Sequence, residues 1–280
     1  MSLYAEQEKA AVIQRLRPDF IIHDAQLLDG GLSNRCMKLS ASDGRQFVWR
    51  PKSEATKVFG LSRQHEHDAL LIASESGLAA SPIVLYSDGL LNAWVQGEVL
   101  DGIALDSIAI LQAKVHDLPL LANRFDPFEK GLHYFSHLSP TLISDDIKAI
   151  HCHFQHHAFK SELALTTCHY DLGYYNLIKR PDGELNIIDW EYSALGDPAL
   201  DLVMTSLAND IELETLVNHY CRIRRMDNVA LWQETCARWL PVAYYLGVLW
   251  FSLGYQLYGQ PLYQDRALRF TSVLKDSLLQ

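Results

Sequence analysis

Three side chains in this sequence have the chemistry and spacing to handle a phosphate. The run His169-Tyr170-Asp171-Leu172-Gly173-Tyr174-Tyr175-Asn176 puts an Asp and an Asn five residues apart on one tight loop. Downstream, Leu185-Asn186-Ile187-Ile188-Asp189-Trp190 ends an apolar strand on a second Asp. Phosphoryl transfer asks little covalent chemistry of a protein. It needs divalent metal across the phosphates, a carboxylate at the attacking hydroxyl, and cations on the developing charge. Asp171 suits the hydroxyl, while Asn176 and Asp189 offer the hard oxygens that Mg2+ takes. Any one of them alone is an ordinary turn residue. The ordered set of loop, Pro181-Asp182-Gly183 turn, strand and Asp189 is what points to a site.

The spacing H-x-D-x-x-x-x-N followed by a metal-binding Asp is that of kinase catalytic loops. Features upstream agree. Asp29-Gly30-Gly31-Leu32-Ser33-Asn34-Arg35 is an amide-rich turn able to cover the phosphates of ATP, with Gly30, Gly31, Ser33 and Asn34 as its candidates. Arg50 ends the third strand, where a cation for the α- and β-phosphates is expected. Glu66, in the helix that follows, can pair with Arg50 and fix its direction.

These residues need a two-part scaffold. Arg35–Leu39, a Ser42-Asp43-Gly44 turn and Gln46–Arg50 read as a hairpin. Residues 54–76 read as one helix closed by Gly77. Strands over Ile83–Tyr86 and Leu91–Val95 flank Ser87-Asp88-Gly89. Past Gly97 the pattern turns helical: Leu105–His116, Ser144–Leu165, Leu213–Arg224, Val229–Trp239, Val242–Tyr258 and Arg266–Leu279. The expected fold class is α+β. A small antiparallel β lobe with one main helix (residues 1–97) binds nucleotide, and a larger α-helical lobe (98–280) carries catalysis and substrate. Backbone groups of Trp94, Val95 and Gln96 lie at the connector, where adenine would meet them.

Composition narrows the function classes. The 280 residues carry 24 basic and 34 acidic side chains, a formal charge of −10, which disfavours nucleic acid and anionic membranes as partners. Five cysteines with no C-x-x-C pair argue against a disulfide framework and for a reducing, cytoplasmic setting, and no apolar leader opens the chain. Residues 239–264 contain no charge, yet Pro241, Gly247, Gly254 and Gln256 favour a buried helix over a membrane span. His151, His153, His156 and His157 suggest a metal cluster, but the helix they share has its apolar face elsewhere, which leaves them as solvated side chains.

The segments GGLSNR, FVWRP, the helix with Glu66, VHDLP, HYDLGYYN and IIDWEYSALGDPALDL together resemble the aminoglycoside phosphotransferase/choline kinase superfamily, over residues 28 to about 205. That resemblance implies a protein-kinase-like two-lobe fold. An Arg at position 50 and the acid of IDWEY look like the choline and thiamine kinase branch, and the Trp- and Pro-containing C-terminal helices are similar in layout to bacterial thiamine kinases. It implies Asp171 as catalytic, Asn176 and Asp189 as Mg2+ ligands, Arg50 on the phosphates braced by Glu66, and Asp201 and His169 as structural supports. The implied acceptor is a small, cationic alcohol, thiamine ahead of choline or another amino-alcohol. An antibiotic kinase on the same fold and a non-catalytic nucleotide-binding scaffold are the alternatives. Aromatic faces and a carboxylate are natural hosts for such a cation. Glu191, Trp190, Tyr192, Trp239, Tyr244 and Trp250 are the candidates.

Overall fold

The computed structural model describes residues 3–28 and 35–278. Short polar turns between strands dictate antiparallel pairing. Strands β1 (Ile22–Leu27), β2 (Met37–Ala41), β3 (Gln46–Pro51), β4 (Pro82–Tyr86) and β5 (Gly89–Ala93) form one sheet in the order β1-β2-β3-β5-β4. Every pair in it is antiparallel. In β2 the two-residue period buries Met37, Leu39 and Ala41. They join Leu16, Phe20, Phe47, Trp49 and Leu91 in a core under helix α1 (Leu3–Leu16). Neither α1 nor β1 was legible as an element, because α1 shows only the narrow apolar stripe of Val12, Ile13 and Leu16. Gly89 belongs to β5, so the β4–β5 turn is Ser87-Asp88, and the strand ends before Trp94.

The stretch expected as one helix is two: α2 (Glu54–Val58) and α3 (Arg63–Glu75). Each has its own cap, Ser53 with Thr56 in a capping box and Ser62 on the His65 amide. Between them Gly60 takes a left-handed φ of +59°, and a Cβ there would lie 2.8 Å from His133 Nε2. Only glycine meets both demands.

Trp94–Gly97 lead into β6 (Glu98–Val99), followed by α4 (Leu105–His116), α5 (Pro127–His137), α6 (Asp145–His156), β7 (Thr166–Cys168), β8 (Leu177–Lys179), β9 (Leu185–Ile187), β10 (Ala194–Gly196), α7 (Pro198–Asn209), α8 (Leu213–Ile223), α9 (Val229–Tyr258) and α10 (Pro261–Leu278). β6, β8 and β9 pair in one small sheet, and β7 pairs with β10. The chain passes so close at Gly97 that a Cβ would sit 2.3 Å from the Lys179 carbonyl oxygen.

Helix α5 was not expected, since Gly131, His133, Ser136 and His137 interrupt its short apolar run. Asp126 caps it and Pro127 opens it. α6 stops at His156, short of the expected Leu165. The two helices expected around Pro241 are the single α9, because Trp239, Val242, Ala243, Tyr245, Leu246 and Leu249 bury both flanks of the proline. That burial offsets the roughly 3 kcal/mol an interior proline costs. No helix among the described residues is long and apolar enough to cross a membrane.

Candidate active site

The loop after β7 is fixed from below by a buried acid. Asp201, on α7 with no exposure, accepts the backbone amides of His169 (3.0 Å) and Tyr170 (2.7 Å) and the Gln112 amide (2.7 Å). His116 Nε2 lies 3.1 Å from the same carboxylate. Those donors hold Tyr170 in a left-handed backbone (φ 64°) that a non-glycine residue adopts only under constraint. His169 Nδ1 accepts the Asp171 amide at 3.3 Å, so its Nε2 carries the proton and donates to the Ile188 carbonyl at 3.2 Å. Burial lowers the His169 pKa to about 4, and the ring is neutral. One imidazole thus ties the loop bearing Asp171 to the strand end bearing Asp189.

Asn176, Asp171 and Asp189 meet above this support. Asn176 Nδ2 donates to both the Asp171 carbonyl and Asp171 Oδ2, each at 2.9 Å. Both bonds leave from the amide nitrogen, so the amide oxygen is the atom left for a cation. The Tyr175 hydroxyl donates to Asp171 Oδ1 at 2.7 Å. The Ile188 amide bonds the Asn176 carbonyl at 2.9 Å, which brings the end of β9 and Asp189 alongside. Burial first, then the negative charge of Asp189, raises the Asp171 carboxyl to about 7 against the opposing Asn176 and Tyr175 donors. Asp189 is itself left-handed (φ 63°) and is ion-paired with Arg50.

Arg50 is the centre of a buried charge network. Its Nε lies 2.6 Å from Glu66, and its Nη2 reaches Glu191 at 2.9 Å as well as Asp189. Burial disfavours its charge, but Asp189 and Glu66 overcome this and hold the guanidinium well above its ordinary pKa. Arg63 closes the ring: Nη1 is 2.6 Å from Glu66 and 2.9 Å from Glu191, and Nη2 donates to the Pro51 carbonyl at 3.1 Å. Arg63 was missed. Its i,i+3 spacing from Glu66 is visible in the sequence, but its burial to 1% exposure is not. Lys130 was also missed. It donates to the carbonyls of Phe59 (2.7 Å) and Gly60 (3.0 Å), and burial, opposed by Glu191, lowers its pKa to about 8.

Several expectations need correction. Glu191, expected to face a cationic substrate, is buried and committed to Arg50 and Arg63. Trp190 has no exposure; its Nε1 donates to the Ile187 carbonyl and its edge meets His169. Trp239 is enclosed by Phe128 and Phe159. Both are core residues, because their rings fill space beneath the loop and between helices. Tyr244 packs on Phe270. Tyr192 and Trp250 are half-buried, with Trp250 Nε1 donating to the Tyr192 hydroxyl at 2.7 Å and its ring stacked on Phe59 at 5.2 Å. On the connector, the Trp94 amide is taken by the Gln46 carbonyl and Lys38 covers the indole at 4.2 Å. Val95 is half-buried and Gln96 exposed. Gly30, Gly31, Ser33 and Asn34 lie outside the described residues. Of the histidines expected to be solvated, His151 is buried with Nδ1 2.8 Å from the Tyr245 hydroxyl, while His156 and His157 spend ring nitrogens on the carbonyls of Cys152 and His153. His116, Cys168 and Asp201 cluster within metal-ligand reach, but the Asp201 oxygens already accept the donors named above.

The family model for choline/ethanolamine kinase matches residues 25–242. The thiamine kinase of Escherichia coli O17:K52:H18 is 24% identical over 262 residues, covering 89% of this chain and 88% of that one. To the thiamine kinase of Shigella boydii serotype 4, identity is 33% over 97 residues, 35% of each chain. Among solved structures, the choline kinase LicA from Streptococcus pneumoniae superimposes with a TM-score of 0.73 at 20% identity, covering 95% of this chain and 98% of that one. The amicoumacin kinase hAmiN, solved with AMP-PNP and Ca2+, gives 0.71 at 11% identity, covering 99% and 96%. These relatives are small-molecule kinases of the protein-kinase-like fold, and this chain belongs to the choline/ethanolamine kinase family.

Proposed function

We propose that this chain transfers the γ-phosphate of ATP, in the presence of Mg2+, to the hydroxyl of a small cationic alcohol, with thiamine ahead of choline and ethanolamine. The observation that carries the reading is the meeting of Asp171, Asn176 and Asp189 beside the Arg50 guanidinium. The donor set fits the metal: an amide oxygen and a carboxylate are the hard ligands Mg2+ takes. Bound there, Mg2+ supplies charge neutralisation across the phosphates. Asn176 and Asp189 would hold it, and Arg50, braced by Glu66, would supply positive charge to the phosphates. We assign the phosphate cover to Gly30, Gly31, Ser33 and Asn34 and the adenine contact to backbone groups near Trp94–Gln96, with the lobes dividing at about Gly97.

Asp171 orients the alcohol. The alcohol oxygen forms its bond to the γ-phosphorus as the bond to the β,γ-bridging oxygen breaks. ADP departs, and the hydroxyl proton passes to Asp171. Tyr192 and Trp250 are the aromatic faces offered to the substrate cation. Near-full-length similarity to thiamine kinases favours thiamine, while the family model favours choline or ethanolamine as the second reading. Five unpaired cysteines suit a reducing, cytoplasmic setting.

The test is ADP release with purified protein over thiamine, choline, ethanolamine, sugars and aminoglycosides, repeated with Asp171→Ala and Asp189→Ala. Turnover with a cationic alcohol that both substitutions abolish, with folding intact by circular dichroism, is the expected result. Near-normal turnover in both variants refutes the assignment.

A further inference from the structure

The carboxylate that must receive the acceptor is already occupied on both oxygens by its own loop. Asp171 Oδ2 accepts from Asn176 Nδ2 at 2.9 Å, a bond within the loop scaffold, since the same nitrogen also holds the Asp171 carbonyl. Asp171 Oδ1 accepts from the Tyr175 hydroxyl at 2.7 Å. The two partners differ in kind. Asn176 is 6% exposed and bonds Asp171 twice, whereas Tyr175 is 43% exposed, with its ring over Gly173 and edge-on to Tyr174 at 5.6 Å. A Cβ on Gly173 would come within 2.3 Å of that ring, so the glycine is what lets the phenol fold back over the loop. An O–H group donating to Asp171 is also what an acceptor alcohol presents.

We propose that Tyr175 is a latch on the catalytic carboxylate, its hydroxyl standing on Asp171 Oδ1 where the acceptor hydroxyl belongs and giving way when the acceptor binds. The inference rests on the kinase reading above and deepens it. Latched, Asp171 has its Oδ1 engaged by a hydroxyl of its own loop, and water is kept from the same place. Water in that place would form its oxygen–phosphorus bond at the γ-phosphate as the bridging bond breaks, giving ADP and phosphate with the proton on Asp171. The latch therefore discriminates between a bound alcohol, which displaces the phenol using its other contacts, and water, which has none. Tyr175 is a positioning residue here, acting through Asp171.

The experiment is Tyr175→Phe, which keeps the ring over Gly173 and removes only the hydroxyl. ADP release is measured against acceptor concentration with thiamine, choline and ethanolamine, and again with no acceptor. The expected result is a KM for the acceptor lower by roughly three- to tenfold, the worth of one hydrogen bond no longer displaced. ADP release without acceptor rises by a similar factor, and kcat is unchanged or higher. An acceptor KM that stays the same or rises overturns the latch, as does a fall in kcat with KM fixed, which marks a support that Asp171 needs during transfer. If the unsubstituted chain releases no ADP with any acceptor, the kinase reading fails and the latch falls with it. Acceptor-dependent release by that chain, combined with an unaltered Tyr175→Phe profile, sinks the latch alone.

Discussion

Arg63→Met tests whether the buried charge ring organises the site. Arg63 is 1% exposed and contacts Glu66 at 2.6 Å, Glu191 at 2.9 Å and the Pro51 carbonyl at 3.1 Å. Methionine keeps much of the volume but leaves Arg50 as the one cation among Glu66, Glu191 and Asp189 in this ring. Removing one partner from a buried ion network typically costs about 3–5 kcal/mol, because the remaining charges stay desolvated. With a urea m-value of about 3 kcal/mol/M, the midpoint should fall by about 1–1.7 M. A second consequence is catalytic. Drawn more firmly to three carboxylates, Arg50 is less free for phosphate, and the KM for ATP should rise by roughly tenfold, the equivalent of one charge-assisted hydrogen bond. Urea unfolding followed by circular dichroism gives the first number, and ADP release against ATP concentration gives the second. Arg180→Ala, which breaks the exposed pair with Asp182, is the control and should leave the midpoint where it is. A midpoint for Arg63→Met within about 0.3 M of the parent would mean that the buried charge ring does not depend on that guanidinium.

Two further outcomes follow from the same geometry. His169, lowered from 6.5 to about 4, binds fewer protons folded than unfolded, so stability should fall as pH drops from about 6.5 to about 4. The full loss is about 3 kcal/mol, and His169→Asn should flatten that part of the pH profile of urea midpoints; an equally steep profile in the variant contradicts the assignment. Gly60→Ala places a methyl 2.8 Å from His133 Nε2 on a left-handed backbone and should cost about 1–3 kcal/mol, read as a lowered thermal midpoint; an unchanged midpoint would mean that the α2–α3 link does not rest on α5 in solution.

The three candidate site residues stood out in the sequence because their signals are local. An Asp, an Asn five residues on, and an Asp ending an apolar strand are close in the chain, and turn chemistry constrains them wherever the rest of the protein lies. The hairpin around Ser42-Asp43-Gly44 and the helix Leu105–His116 were equally readable, one from its turn and the other from its apolar period. Elements failed where long-range packing overrode local preference. Pro241 stays inside a 30-residue helix because both of its flanks are buried, and Gly60 splits a helical pattern because His133 occupies the space beside it.

The amino-acid order therefore put Asp171, Asn176 and Asp189 on one short stretch of chain and marked the change from strand-rich to helix-rich texture near Gly97. Tertiary structure alone decided which charges are spent and which are available. Glu191 and Trp190 sit beside Asp189 in sequence and look like substrate contacts, yet one neutralises two arginines and the other fills the core. Arg63, unremarked in the sequence, lies 128 positions from the glutamate it meets at 2.9 Å. Desolvation and pairing depend on what surrounds a group in space, and residues that far apart along a chain carry no local pattern that could announce their meeting.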